Sequence, residues 1–190
     1  MRVLRETLEV VVLALTLFLG LQSSIQTYRV EGTSMVSTLL DGEYLMVNKL
    51  VYWHFDRSRV EAFLPGQKDQ GGPGVYLLHP PQRGDVIVFR APPDPARDFV
   101  KRVIGLPGEA VTVARGRVYI NSVLLAEPYL PAYSDDSTEP YLVPPNSYYV
   151  MGDNRSHSND SRHWGPVPAA NIIGQVWFGY WPKNRVGFIP

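Results

Sequence analysis

The apolar positions of this chain are distributed in two ways. From Val10 to Leu21 they are nearly continuous, Val-Val-Val-Leu-Ala-Leu-Thr-Leu-Phe-Leu-Gly-Leu, without a charge. A charged leader, 1–9, precedes this run, and uncharged Gln, Ser and Thr dominate from Gln22 until Arg29. A spanning helix needs about 20 residues of low polarity. The run therefore predicts a single transmembrane anchor that draws in the Gln/Ser stretch and ends on Tyr28 as an interfacial residue. A cleaved signal peptide, with its short apolar core, and a buried soluble helix are the competing readings. Beyond Arg29 the pattern changes to short apolar runs separated by Gly, Pro, Asn and Asp, which predicts strands and turns. Strands are expected after Asp41-Gly42, over Val86–Phe89, over Asp98–Gly105, in hairpins between Val111 and Leu125, over Ser147–Met151 and over Ile172–Trp181. Pro92-Pro93-Asp94-Pro95 is expected to break the chain, and 56–82 reads as a Gly/Pro-rich loop insertion. The expected fold is mostly β: one N-terminal transmembrane helix and then an antiparallel β-sheet domain. Residues 1–28 form the leader and anchor, and 29–190 the β-rich domain.

Composition narrows the function. The chain has 190 residues, 18 basic and 18 acidic, and no cysteine. Zero net charge without a clustered basic surface excludes a nucleic-acid footprint. The lack of cysteine removes disulfides, thiol catalysis and thiolate metal sites together. Arg2 and Arg5 precede the apolar run and Arg29 follows it. The positive-inside tendency then leaves the N-terminus in the cytoplasm and the β-rich domain outside the cytoplasmic membrane.

The stretch Glu31-Gly32-Thr33-Ser34-Met35 sits where the chain would leave the bilayer. Ser34 is the candidate nucleophile, but a serine hydroxyl is a poor one until a base takes its proton. Four histidines, His54, His79, His157 and His163, lie in loops. A triad of His157 with Asp153 or Asp160 is one option, since triads are recognised by geometry. Lysine is the other. Of only four lysines, Lys49 and Lys101 lie in apolar runs. Successive strand residues face opposite ways, so Lys101 and Arg102 must split between two faces. Lysine is the one of the two that can lose its proton, and burial makes that easier. A strand lysine with its head in water is the plain alternative. No spacing of His, Asp or Glu matches a metal motif.

Four segments resemble the four boxes of bacterial type I signal peptidases, in that family's order and behind its N-terminal anchor. They are Glu31–Leu39, Arg83–Phe89, Phe99–Glu109 and Gly152–Arg162, and the likeness runs from about 30 to 180. The resemblance implies a membrane-bound Ser-Lys endopeptidase that removes signal peptides from exported preproteins, without metal or cofactor. Its substrates would carry small residues at the first and third positions before the cut. It matches Ser34 to the nucleophile, Lys101 to the general base and Ser158 to a hydroxyl that orients the lysine. It places Asp153, Asn154, Arg155, Asp160 and Arg162 near the site, with Asp160 and Arg162 as a structural ion pair. The oxyanion would rest on backbone donors at Ser34 and Gly32, Gly32 standing where some members have serine. The family usually has proline where this chain has Ser37, and a proline would stiffen the turn after the nucleophile. Two rival readings are a Ser-Lys autoprotease of the repressor kind and a membrane-anchored β module that binds or scaffolds exported proteins without cutting them.

Overall fold

The computed structural model describes residues 2–55, 75–76 and 78–189. Most of the expected 56–82 insertion lies outside the described residues. The chain begins with helix α1 (Arg2–Ser24). Within it, the Thr16 and Ser24 hydroxyls donate to the carbonyls of Val12 and Gly20, one turn back, which satisfies polar groups on an otherwise apolar helix. The side chains from Val10 to Val12 and those of Leu13, Leu15, Leu17 and Phe18 are exposed. Among the described residues, no helix is long and apolar enough to cross a membrane.

The fourteen described strands are β1 (Ile25–Arg29), β2 (Tyr44–Asn48), β3 (His54–Phe55), β4 (Val75–Tyr76), β5 (Val86–Ala91), β6 (Asp94–Gly105), β7 (Ala110–Ala114), β8 (Arg117–Ile120), β9 (Val123–Leu124), β10 (Tyr141–Leu142), β11 (Ser147–Met151), β12 (Val167–Pro168), β13 (Ile172–Trp181) and β14 (Gly187–Phe188). A one-turn helix, α2 (Ser161–Trp164), falls between β11 and β12. The main sheet runs β1-β2-β13-β5-β6-β11-β12, with β14 on β13, and every pairing is antiparallel. A smaller sheet runs β10-β7-β8-β9.

Two expectations shift. The helix stops at Ser24, and 25–28, expected to continue the anchor, pair with β2 instead. Gln, Thr and Tyr suit a strand when a neighbouring ladder is available, which a local reading does not see. Pro92-Pro93 does not end the sheet but forms a tight turn, with Ala91 paired to Asp94 and β6 starting there. The hairpins of the small sheet turn where expected. Arg115-Gly116 and Asn121-Ser122 all have positive φ, as two-residue hairpin loops require.

Irregular register bends the main sheet. β13 shifts against β2 and β5, and β11 against β6; such bulges increase local twist. Gly174 allows β13 to approach β2 closely, since a Cβ there would stand 2.4 Å from Asn48 O. The bending brings β1 opposite the first half of β6, although three strands separate them in the sheet. The Tyr28 hydroxyl donates to Asp98 Oδ2 at 3.2 Å across the gap. One core cluster, including Val30, Met35, Leu39, Leu45, Val47 and Val88, lies beneath this gap.

Candidate active site

The segment after β1 carries Ser34 into the gap. Met35 and Leu39, four residues apart on one turn, are fully buried in that core. The Leu39 N–H donates to Met35 O at 2.8 Å. With these two side chains inward, Ser34 is left half-buried at the floor of the cleft. Gly32 has φ +91°, a conformation that favours glycine. Its N–H donates to Asp41 Oδ1 at 2.7 Å. The expected oxyanion donor at Gly32 is therefore already engaged, and its contribution is to shape the loop. The Ser34 N–H has no partner among the described residues.

Strand β6 brings Lys101 to the same floor. Its Nζ lies 2.6 Å from Ser34 Oγ, hydrogen-bonded to it, and donates to Val100 O at 2.9 Å. Lys101 is 4% exposed. Among the described residues no carboxylate lies within ion-pair distance of it. Burial lowers its pKa from 10.5 to about 8, against the pull of the Asp160 and Asp153 charges, which favour the ammonium.

The other predicted residues form a frame behind this pair. Asn154 clamps the nucleophile segment by its backbone: its N–H donates to Ser34 O and its Nδ2 to Thr33 O, both at 3.0 Å. Asp153 is buried and takes two bonds from Arg102, at 3.0 and 2.7 Å, and one from the Thr38 hydroxyl at 2.5 Å. Arg155 is buried against Glu127. Asp160 and Arg162 form the expected ion pair, with Nε–Oδ1 and NH2–Oδ2 both at 2.8 Å. Burial works to raise the Asp160 pKa, but bonds from Arg162 and the Gly152 N–H outweigh it and hold the carboxyl below its ordinary value. Gly152 is obligatory here. A Cβ would meet Ser158 Oγ at 2.2 Å and Ser34 O at 2.5 Å.

Ser158 differs from expectation. It is buried beside Gly152 and the nucleophile segment, but no hydrogen bond joins it to Lys101. Its Oγ has no hydrogen-bond partner among the described residues, though it lies near enough to the Asp160 carboxylate to favour the charged form. Val100 O takes the second bond from the lysine instead. His157 lines the cleft, and its Nδ1 lies 3.3 Å from Asn154 Oδ1. Among the described residues neither Asp153 nor Asp160 forms an ion pair with it, and no group of His, Asp and Glu is arranged to hold a metal. Sequence reasoning missed Asp41, Thr38, Glu127 and Tyr129. Asp41-Gly42 was a visible turn signal, but the reach of its carboxylate back to Gly32 was not.

The cleft itself has a volume of about 310 Å³. Its walls are 28–34 and 98–101, and Leu45, Val88 and Phe99 give it an apolar lining.

A strand-walled cleft with a serine hydroxyl bonded to a buried amine at its floor suits a hydrolase of peptide bonds, and known proteins fall in the same class. The model of the family described as Signal peptidase, peptidase S26 matches residues 4–181, and the chain belongs to that family. A signal peptidase I from Leptolyngbya laminosa is 38% identical over 192 residues, covering 97% of this chain and 83% of that protein. One from Bacillus caldolyticus is 36% identical, covering 85% and 82%. A solved signal peptidase I from Enterococcus faecalis V583 aligns with a TM-score of 0.45 at 36% identity, over 51% of this chain and 97% of that one.

Proposed function

We propose that this protein is a membrane-anchored signal peptidase that cuts signal peptides from exported preproteins with Ser34 as nucleophile and Lys101 as general base. The observation that carries this reading is the 2.6 Å contact of Ser34 Oγ with an amine that is buried and unpaired among the described residues. Water keeps a lysine protonated, and burial without a counter-charge releases the proton. With a pKa of about 8, an appreciable fraction of Lys101 is neutral near neutral pH.

The substrate enters as an extended segment between 29–34 and 98–101, pairing its main chain with the cleft walls. The small apolar cleft suits small side chains before the cut. Neutral Lys101 Nζ takes the Ser34 proton as Oγ attacks the carbonyl carbon. The oxygen that gains charge is met by the Ser34 N–H, a donor free for the purpose. The Lys101 ammonium then gives its proton to the departing amine as the C–N bond breaks. Lys101 next takes a proton from water as that water's oxygen attacks the ester carbonyl, and gives the proton to Ser34 Oγ as the ester C–O bond breaks and the acid product leaves. Ser158, buried beside Gly152 and the nucleophile segment, is the hydroxyl that orients the amine. No metal or cofactor enters the scheme.

Helix α1 is the anchor. Its uncharged part, residues 10–24, runs about 22 Å at 1.5 Å each, shorter than a full bilayer core. The exposed apolar stretch Val10–Phe18 calls for lipid around it. On this reading the protein sits in the cytoplasmic membrane as a single-pass protein with the β-rich domain on the extracytoplasmic side, supported by the charge bias of Arg2 and Arg5 before the apolar run. Anchoring confines enzyme and membrane-threaded substrate to one thin layer, which raises effective concentration.

Cleavage of a preprotein whose signal peptide ends in Ala-X-Ala, by purified full-length protein in lipid, tests the reading. Wild type should cut, and Ser34→Ala and Lys101→Ala should not. Equal cutting by both variants would end the assignment of roles. Failure of the wild type on every such precursor would favour the binding module instead.

A further inference from the structure

Ser37 stands one turn after Ser34, exposed, and the catalytic scheme gives it nothing to do. Its Oγ donates to the backbone carbonyl of Tyr129 at 3.0 Å, a contact across ninety-two positions of sequence. Tyr129 has further ties. Its hydroxyl donates to Glu127 Oε1 at 2.8 Å, and Glu127 is buried in an ion pair with Arg155. Its ring lies 4.1 Å from the Arg102 guanidinium. Arg102 in turn donates to Gly84 O at 2.8 Å and to Asp153, and Asp153 accepts from Thr38. The segment Glu127-Pro128-Tyr129 is thus a strap. It touches the nucleophile turn at Ser37, the lysine strand at Arg102 and the segment after β11 at Arg155.

We propose that Ser37 is a positioning residue: by bonding the 127–129 strap, it fixes the rotation of the nucleophile turn and so the approach of Ser34 Oγ to Lys101 Nζ. The proposal deepens the Ser-Lys reading and rests on it. Met35 and Leu39 hold one side of the turn by apolar burial, which is non-directional. Asn154 holds the carbonyls of Thr33 and Ser34. Next to Ser37, Thr38 is tied to Asp153, Arg102 and Arg185, and on the exposed outer side of the turn Ser37 adds a directional bond to a carbonyl already fixed in a network. A small error of placement at a reacting atom is expensive: about 1 Å costs on the order of a hundredfold in rate. Ser37 does not line the cleft, so its loss acts through Ser34 and not through substrate binding.

The test is steady-state cleavage of one preprotein by the full-length protein in lipid, with Ser37→Ala, Ser37→Thr and Ser34→Ala compared with wild type. Ser37→Ala should lower kcat by about tenfold with KM unchanged, as loss of orientation does. Ser37→Thr keeps the hydroxyl and should restore most of kcat. The unfolding midpoint of Ser37→Ala should stay close to wild type, because the bond is exposed. Unchanged kcat in Ser37→Ala would overturn the proposal. So would a rise in KM alone, or a loss that Thr does not restore. Ser34→Ala reports separately on the underlying reading: if it cuts like wild type, the nucleophile is misassigned whatever Ser37 does.

Discussion

Lys101 and Arg102 are neighbours on one strand, and both are buried, at 4% and 2% exposure. They point to opposite faces and meet opposite surroundings. Arg102 finds Asp153 with two bonds, Gly84 O, the Thr38 hydroxyl and the ring of Tyr129. Lys101 finds a serine hydroxyl, one carbonyl and, at the edge of an apolar cleft, the Phe99 ring 5.4 Å from its Nζ. Burial of a cation thus has two outcomes. With a carboxylate and full hydrogen bonding it gives a rigid brace. Without a carboxylate it destabilises the charged form and makes a base available. The chain uses each residue type where its chemistry fits, since guanidinium does not deprotonate in proteins and an amine does.

The strongest way to break this contrast is to exchange the residues' properties. Lys101→Arg retains positive charge and donors but cannot act as a base, and cleavage should fall at least about a thousandfold, like Ser34→Ala. A single-turnover assay on a preprotein measures both. On the other face, Asp153→Ala removes the carboxylate that takes two bonds from the buried Arg102, which should cost about 3–5 kcal/mol of stability by denaturant unfolding. Gly152→Ala should impair both faces together. Its Cβ would collide with Ser34 O and Ser158 Oγ, so activity is lost along with a stability decrease of about 1–3 kcal/mol.

A subtler test uses linkage. The folded Lys101 pKa is about 8 and its ordinary value 10.5. Between these the unfolded chain still holds a proton that the folded chain has released. Stability should therefore rise with pH across that window and gain nothing from this group below it. Unfolding measured through the window should show this slope in wild type and lose it in Lys101→Met. The smallest effect belongs to a pair open to solvent. Exposed Arg97 and half-buried Asp94 lie 3.3 Å apart, and removing either should change stability by less than about 1 kcal/mol.

The parts of the fold legible in the sequence are those fixed by local chemistry. The small-sheet hairpins turn at Gly116 and at Asn121-Ser122, residues that tolerate positive φ. Strands β5, β11 and β13 stand out as apolar and aromatic runs. The helix end was not legible, because Gln26, Thr27 and Tyr28 become strand residues only through their pairing with Val47, Met46 and Leu45. Pro92-Pro93 looks like an interruption until β5 and β6 are placed side by side. At the site, alternation alone separates Lys101 from Arg102, and the resemblance to a family marks Ser34. What stays hidden is the supporting shell. Glu127 and Tyr129 sit in a Pro-rich connection with no pattern, and their placement depends on Arg102 arriving from β6 and Arg155 from the segment after β11. The engagement of Gly32 by Asp41 likewise depends on two turns meeting in three dimensions.

The most direct measurement is the pH dependence of kcat/KM for preprotein cleavage, which reports the ionisation of the free enzyme's base. An amine of pKa about 8 at residue 101 predicts activity that climbs roughly tenfold per pH unit in the acid range and levels off only above about 8. A profile already flat at pH 7, and unchanged in Lys101→Ala, would contradict it.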